Sequence, residues 1–262
     1  MARASAVKMP AEASAVHGCE GARRVLALML TFSADDNTLT ARQLADRTGI
    51  ALPSVYRYIT LLRETGLLAG DERGSYRLSA RLIGLSAAAQ AAESIIDVAD
   101  PVMQELHAKT GETVILVRLI GRSAICVHRV QSPQRLRISF EPGQPLPLER
   151  GASARLLLAS LPSDVRKEYL APLAKRDPAA AALLEKKVLL AGQQGYAVSE
   201  EEIDKGIWAA SAQVLQGKRM AAALSVPSPL VRAPTAAQRM EILGHVRTAA
   251  QAISEALRGV RR

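Results

Sequence analysis

The chain has 262 residues, and 34 Lys and Arg against 25 Asp and Glu give it a formal net charge of +9. Hydrophobic residues make up 48% of the sequence, which excludes a disordered chain and is enough for a folded core. Two distant cysteines, Cys19 and Cys126, exclude a disulfide-rich scaffold and favour a reducing cytoplasm. No apolar run approaches the length of a membrane span, so we expect no membrane partner. Residues 1–21 lack the apolar core of a signal peptide and are interpreted as a flexible arm.

The first predicted helix covers residues 22–32. The second begins after Thr40, whose hydroxyl can accept the amide of Gln43 while the Gln43 side chain reaches back to Thr40. Gly49 can end this helix in the left-handed conformation. A short turn follows, and Pro53 suits the first turn of a third helix because an amide there would have no partner within the helix.

The third helix has two distinct faces. Its buried stripe consists of apolar residues at positions i, i+4 and i+7, namely Val55, Ile59 and Leu62. Tyr56, Arg57 and Thr60 fall on the opposite side and are expected to face outward together. A guanidinium and hydroxyls near a helix N-terminus suit contacts with guanine edges and phosphate oxygens.

A small hairpin is predicted after the third helix, with strands at 67–69 and 75–78 around the turn 70–74. Two helices in close succession followed by a hairpin are typical of a winged helix-turn-helix that places its second helix in the major groove of DNA. The net charge is spread over the chain, so only this placement of side chains locates a DNA surface. The alternative is a winged helix that binds protein. The expected DNA contacts are Arg42, Arg47, Ser54, Tyr56, Arg57, Thr60, Arg73 and Arg77.

The rest of the chain is predicted to form a helical linker and an α+β domain. An Ala-rich helix over residues 80–92 follows Ser79, and Asp97 is expected to cap the next helix. The last helix begins with a second capping box, Thr235 and Gln238. Strands are expected at 113–119, 124–130, 137–140, 206–214 and 220–226, and helices near 152–161, 163–170 and 179–191. We interpret these as a mixed sheet with helices on one side.

A Pro-rich loop, residues 142–148, is expected to lead into a helix near Gly151, Ala152 and Ser153. Small residues at a helix start leave backbone amides accessible, which suits binding of a carboxylate.

Eight short stretches resemble the IclR family of bacterial transcriptional regulators in both order and spacing. They are RRVLAL (23–28), LADRTG (44–49), SVYR (54–57), GSYRL (74–78), TGETV (110–114), LPL (146–148), GYAVS (195–199) and AALSV (222–226). The resemblance implies a C-terminal GAF-like domain that binds a small organic effector. Carried over residue by residue, it implies an effector site at Ile138, Leu146, Ala152, Ser153, Ser199, Ile207, Ala209 and Ser225.

The chain departs from the family pattern at two places. Glu149 and Arg150 replace a usual His-Ala pair, and Ser199 stands where an acid is often found. One hypothesis places Arg150 at the mouth of the pocket, as a cation for an acidic effector. The alternative is an exposed Arg150 paired with Glu149.

An enzyme is the competing class of protein. Cys126 and His128 are two residues apart on a predicted strand and therefore share a face, which suggests a thiolate–imidazole pair. Parallel side chains about 7 Å apart exceed hydrogen-bond reach, so we rank a hydrolase below a regulator. The four histidines show no ligand spacing, and we expect no metal and no cofactor.

These patterns predict a regulator with four segments: an arm (1–21), a DNA-binding domain (22–79), a linker helix (80–95) and an effector-binding domain (96–262). The expected assembly is a homodimer on a roughly palindromic operator, or a tetramer of two such dimers. The sequence leaves repression and activation equally open.

Overall fold

The computed structural model describes residues 18–33, 36–71, 73–91, 94–138 and 140–259. The chain divides into two compact units, Met1–Ala92 and Glu93–Arg262. Most of the predicted arm, residues 1–17, lies outside the described residues. The finer division into arm, DNA-binding domain, linker and effector domain stays a prediction.

The first unit is mostly helical with a small antiparallel sheet in the order β1-β3-β2. Its elements in chain order are α1 (Glu20–Met29), β1 (Leu39–Thr40), α2 (Ala41–Thr48), α3 (Leu52–Glu64), β2 (Leu68–Gly70), β3 (Ser75–Leu78) and α4 (Arg81–Ala91). This succession is the predicted winged helix-turn-helix, with α2 and α3 as the helix pair and β2–β3 as the wing.

Local chemistry fixes where the helices of this unit begin and end. The Thr40 amide donates to Gln43 Oε1 at 2.8 Å, and the Gln43 amide donates to Thr40 Oγ1 at 3.2 Å, which is the predicted capping box. Gly49 ends α2 with φ of 70°. Ser79 Oγ accepts the Arg81 amide at 3.2 Å where α4 begins. One apolar cluster, which includes Leu44 and the buried stripe of α3, holds α1, α2 and α3 together.

The second unit is an α+β domain, as predicted. Its elements in chain order are α5 (Ser94–Thr110), β4 (Val114–Ile120), β5 (Ser123–Val130), β6 (Pro145–Leu146), α6 (Ala152–Ala159), α7 (Ser163–Arg176), α8 (Pro178–Gln194), β7 (Tyr196–Glu200), β8 (Ile207–Gln216), β9 (Arg219–Pro229) and α9 (Ala236–Gly259). The second predicted capping box is present, because Thr235 Oγ1 accepts the Gln238 amide at 3.3 Å.

Two features of the predicted sheet are wrong. Strand order is β6-β5-β4-β9-β8-β7, and every pair between described strands is antiparallel rather than mixed. Tight turns after β4 and β8 reverse the chain, and such hairpins form antiparallel pairs. Helices also cover both faces rather than one. Leu116 packs into the cluster of α5 and α9, whereas Ile115 and Val117 pack into the cluster of α6. Because both faces of β4 are apolar, both must be buried against helices.

Several element boundaries also differ from prediction. Residues 137, 138 and 140 are not in a strand, and the Leu136 carbonyl instead accepts the Arg232 guanidinium at 2.6 Å. The edge strand comes from the Pro-rich loop as β6, because proline is tolerated where no neighbour needs its amide. β7 was not predicted. α5 begins at Ser94 instead of Asp97, which lies in its first turn.

Candidate nucleic-acid interface and ligand cavity

The outward face of α3 presents the three predicted side chains. Tyr56 is 52% exposed, and Arg57 and Thr60 are exposed beside it. The buried stripe of α3 packs in the core on the other side, so this orientation is fixed by packing. The Thr60 hydroxyl donates to the Tyr56 carbonyl at 3.1 Å, so both lone pairs of its oxygen remain available as acceptors. The Arg57 guanidinium has no hydrogen bond or ion pair to another described residue.

The remaining predicted DNA contacts differ in how freely they can move. Arg73 and Arg77 are exposed on the wing, and Ser54 is half-buried in the first turn of α3. Arg42 is exposed, with Nε 4.0 Å from the Asp46 carboxylate. Arg47 instead binds the Asp36 carboxylate at 2.8 Å, and this hydrogen bond lowers the pKa of Asp36 below its ordinary value. The Arg47 side chain therefore braces the segment before β1, and a contact with DNA stays a prediction for it.

A cavity with about 570 Å³ of space opens where β6, the start of α6 and the sheet meet. This figure counts the open mouth of the cavity as well as its enclosed part. Eight of the nine predicted effector residues line it: Leu146, Arg150, Ala152, Ser153, Ser199, Ile207, Ala209 and Ser225. Ile138 is not among the lining residues. The sequence therefore predicted most of the residues that line this cavity, although it did not predict the sheet order. The motifs at the helix start and on the strands lie close together in the fold.

A buried cluster of ion pairs, which the sequence did not predict, lies beside the cavity. Arg155 is 6% exposed and donates to the Val198 carbonyl and to the Glu202 carboxylate. Glu202 also accepts Lys187 Nζ at 3.2 Å and the Gly151 amide at 3.0 Å. Burial lowers the pKa of Arg155 and contributes most to lowering that of Lys187. Only the acidic run at 200–202 was visible in the sequence, since its partners lie far away along the chain.

The segment after β7 closes one side of the cavity through this cluster. Ile203 lies so near Gly151 that a Cβ there would stand 2.9 Å from Ile203 Cδ1. Gly151 also has φ of 95°, a conformation that other residues rarely adopt, so glycine is required at this position for two reasons. The Glu202 carboxylate thus ties residues 201–206 to the start of α6.

Charged side chains of both signs stand at the cavity. Arg150 is exposed and lines it, as do Glu202 and Asp204. Glu149 binds Arg176 at 3.0 Å, so the alternative partner considered for Arg150 is already engaged. Arg150 has no ion pair within the described part of the chain. It is therefore the cation at the cavity whose charge is not neutralised by a bound carboxylate.

Three serine hydroxyls form a line from the cavity into the sheet. Ser153 Oγ lies 3.1 Å from Ser211 Oγ, which lies 2.6 Å from Ser225 Oγ. Ser225 Oγ in turn donates to the Ala210 carbonyl at 3.1 Å. Sequence reasoning identified Ser153 and Ser225 but missed Ser211, which is fully buried and paired with Ser225 across β8 and β9.

The Cys126–His128 pair, considered as the basis of the competing enzyme hypothesis, does not form. A bulge between Leu116 and Val117 in the β4–β5 register places Cys126 in the cluster on the α6 side. His128 Nε2 instead binds the Asp100 carboxylate of α5 at 2.6 Å, on the opposite side of the sheet. The rule that residues i and i+2 share a face fails here because the bulge inserts one residue. Burial raises the pKa of the Cys126 thiol to about 11, which suppresses the nucleophilic thiolate.

A thiol titration checks this placement. In native protein at pH 8, we expect a disulfide reagent to modify only the exposed Cys19, and in denaturant to modify both cysteines. The Cys19→Ser variant should show no rapidly reacting thiol until it unfolds. Fast native reaction in that variant would contradict the burial of Cys126.

No group of three or more potential metal-ligating side chains occurs within the residues that the structure describes. A search of the same residues finds no helix that is both long and apolar enough to cross a membrane.

Comparisons with known proteins agree with this architecture. The model of the IclR helix-turn-helix domain matches residues 21–72, and the model of the C-terminal domain of bacterial IclR transcriptional regulators matches residues 87–255. The HTH-type transcriptional regulator Rv1719 of Mycobacterium tuberculosis is 31% identical over 82% of this chain and 84% of its own.

Solved structures share the fold. An IclR family transcriptional regulator from Brucella abortus superposes with a TM-score of 0.76 at 24% identity, covering 90% of this chain and 92% of that one. An IclR homolog from Microbacterium hydrocarbonoxydans complexed with 4-hydroxybenzoate superposes with a TM-score of 0.74 at 22% identity, covering 92% and 100%. The chain therefore belongs to the IclR family of bacterial transcriptional regulators, which bind DNA through a helix-turn-helix domain and are not enzymes.

Proposed function

We propose that this regulator reads its operator with the outward face of α3 and changes its DNA affinity when a small organic acid enters the cavity beside α6. The observation that supports the first part is the joint exposure of Tyr56, Arg57 and Thr60 on a helix whose other side is packed. Arg57 contacts base edges in the major groove, Ser54 donates to a phosphate oxygen at the groove edge, and Thr60 does so when its hydroxyl turns away from the Tyr56 carbonyl. Arg73 and Arg77 contact the flanking backbone from the wing.

A carboxylate is the effector group that suits the cavity best. The Gly151 amide binds Glu202, whereas the next amides of α6 have no partner within the helix and carry the positive end of its dipole, and Gly151 provides no side-chain cap. Arg150 adds an unneutralised cation at the same end. Apolar lining from Ile115, Leu146 and Ile207 suits an aromatic or short aliphatic body. The neighbouring structure with 4-hydroxybenzoate supports this class of ligand.

Exposed apolar side chains in the first unit support a homodimer on a roughly palindromic operator. Leu26 on α1 and Leu30 at its C-cap are 56% and 58% exposed, and Ile83 and Leu85 on α4 are 71% and 55% exposed. Pairing of two copies through these helices would cover them and present two α3 helices to successive major grooves. Two such dimers can form a tetramer. We place the protein in the cytoplasm, where a bacterial regulator meets its DNA.

The effector acts by linkage. It changes operator affinity only as far as it binds the DNA-competent and DNA-incompetent arrangements of the protein unequally. The operator is selected from a random DNA library with the wild-type chain. A gel shift on this operator, repeated with and without a bound acid, tests the proposal. The proposal expects a changed dissociation constant with the acid, and an unchanged constant at saturation would contradict it.

Replacing Arg150 with Ala is expected to weaken binding of a carboxylate by about tenfold, because an unneutralised cation beside the anion is lost. Calorimetric titration of 4-hydroxybenzoate and benzoate into both proteins measures this effect, and neutral phenol should bind both proteins equally. Arg219→Ala, which removes an exposed cation at the turn between β8 and β9, is the matched control. Unchanged affinity of Arg150→Ala for an acid that the wild type binds would contradict the role of Arg150.

A further inference from the structure

In the line of serine hydroxyls beside the cavity, the donor and acceptor roles of each hydroxyl are fixed. It contains three contacts: Ser153 to Ser211, Ser211 to Ser225, and Ser225 to the Ala210 carbonyl. Each hydroxyl has one proton to donate, and the carbonyl oxygen can only accept. Three protons therefore serve three contacts, and only one assignment makes all of them hydrogen bonds. Ser225 donates to Ala210, Ser211 donates to Ser225, and Ser153 donates to Ser211.

This direction is costly to reverse. Ser211 is fully buried and Ser225 is 2% exposed, so no bulk water replaces a lost partner. If Ser153 turned its proton into the cavity, the contact between Ser153 and Ser211 could persist only by turning the Ser211 proton away from Ser225. Some contact in the line would then join two oxygens without a proton between them, and an unsatisfied buried polar group destabilises the structure.

Ser153 therefore meets the cavity as an acceptor. Its side chain is half-buried at the start of α6 and lines the cavity, and its proton is committed to Ser211. A ligand atom at Ser153 must donate, as a hydroxyl or an ammonium group does. A carbonyl oxygen or an ionised carboxylate placed there would face a lone pair.

We infer that the effector of this protein carries a hydroxyl group that donates to Ser153 Oγ, so that the cavity selects hydroxy acids over oxo acids of the same carbon skeleton. Ser153 is the specificity-determining residue, and Ser211 and Ser225 are positioning residues that act through it. The acid part of this statement rests on the proposed function, whereas the hydroxyl part rests on the serine line.

Matched pairs of compounds that differ only in this group test the inference. Mandelate against phenylglyoxylate, and 2-hydroxybutyrate against 2-oxobutyrate, compare a hydroxyl with a carbonyl next to the same carboxylate. Benzyl alcohol against benzaldehyde makes the comparison without a charge. Calorimetric titration into the full chain should give about tenfold or greater preference for the hydroxyl member of any pair that binds, because the carbonyl member leaves two acceptors facing each other.

Substitutions distinguish an effect of the hydrogen-bond direction on ligand preference from an effect of packing around the cavity. Ser211→Ala removes the acceptor that holds the Ser153 proton, so Ser153 can donate to a carbonyl and the preference should fall to within about twofold. Ser211→Thr keeps the hydroxyl and should restore the preference. Ser254→Ala, at a buried serine on α9 that does not line the cavity, should leave the preference unchanged. A loss of stability alone would weaken both members of a pair equally and would not change their ratio.

Each outcome has a distinct meaning. Equal or reversed preference in the wild type, or a preference that survives in Ser211→Ala, would overturn the inference. Binding of benzyl alcohol over benzaldehyde without binding of any acid would support the role of Ser153 while overturning the proposed acid class. Binding of none of the six compounds would overturn both the proposed acid class and the inference.

Discussion

Replacing Arg57 with Ala is expected to reduce specific operator binding by about ten- to a hundredfold for each half-site, the effect of losing one good side-chain contact with a base edge. The operator is first selected from a random DNA library with the wild-type chain, and affinities are then measured by gel shift at several salt concentrations. Binding to unrelated DNA should change far less, because the phosphate contacts remain. The ratio of specific to non-specific affinity therefore decreases.

A substitution on the wing is expected to affect DNA binding differently. Arg73→Ala is expected to weaken binding to all sequences by a similar factor and to reduce the salt dependence by about two counterions per dimer, one for each subunit, because Arg73 is placed to contact phosphate. Arg219→Ala removes the same charge from the second unit and serves as the control for net charge.

If Arg57→Ala matched the wild type at every salt concentration, the assignment of α3 as the reading helix would be wrong.

Replacing Glu202 with Gln is expected to destabilise the second unit by about 3 kcal/mol, because Arg155 then remains buried without its carboxylate. Arg155 Nε already has no hydrogen-bond partner among the described residues, and Lys187 would face Arg155 without the anion between them. Trp208 is the single tryptophan of the chain and is buried on β8, so its fluorescence during urea unfolding follows this unit.

Glu200→Gln is the matched control for this variant. Glu200 is two residues away and binds Arg239, but its side chain is 52% exposed. Exposed ion pairs contribute little, so a loss below about 1 kcal/mol is expected. Equal urea midpoints for Glu202→Gln and Glu200→Gln would contradict the structural role given to the buried cluster.

The first unit was largely predictable because its signals are local. The capping box of Thr40 and Gln43, the stop at Gly49 and the stripe on α3 each lie within one turn of helix or a few residues. Helical periodicity alone determines that Arg57 faces away from Val55 and Ile59. The direction of the reading face therefore did not depend on how distant segments pack.

The second unit was predicted less completely because its decisive contacts are long-range. The β-bulge that separates Cys126 from His128 depends on the register with β4, which no local pattern specifies. Arg155 and Glu202 are 47 residues apart, so neither signals the other in a single sequence. The cavity was nevertheless located, because the family motifs mark the segments that line it even when the sheet order is unknown.

The most direct test of the central claim maps where α3 lies on DNA. In the Cys19→Ser background, Thr60→Cys provides an exposed attachment point for an iron–EDTA cleavage reagent, while Cys126 stays buried. The account predicts cleavage of the selected operator at two sites about one helical turn apart, centred on the base pairs that the selection conserves. Lys186→Cys on α8 should give no such pattern. Specific binding without cleavage from position 60 would contradict the claim that this face of α3 enters the major groove.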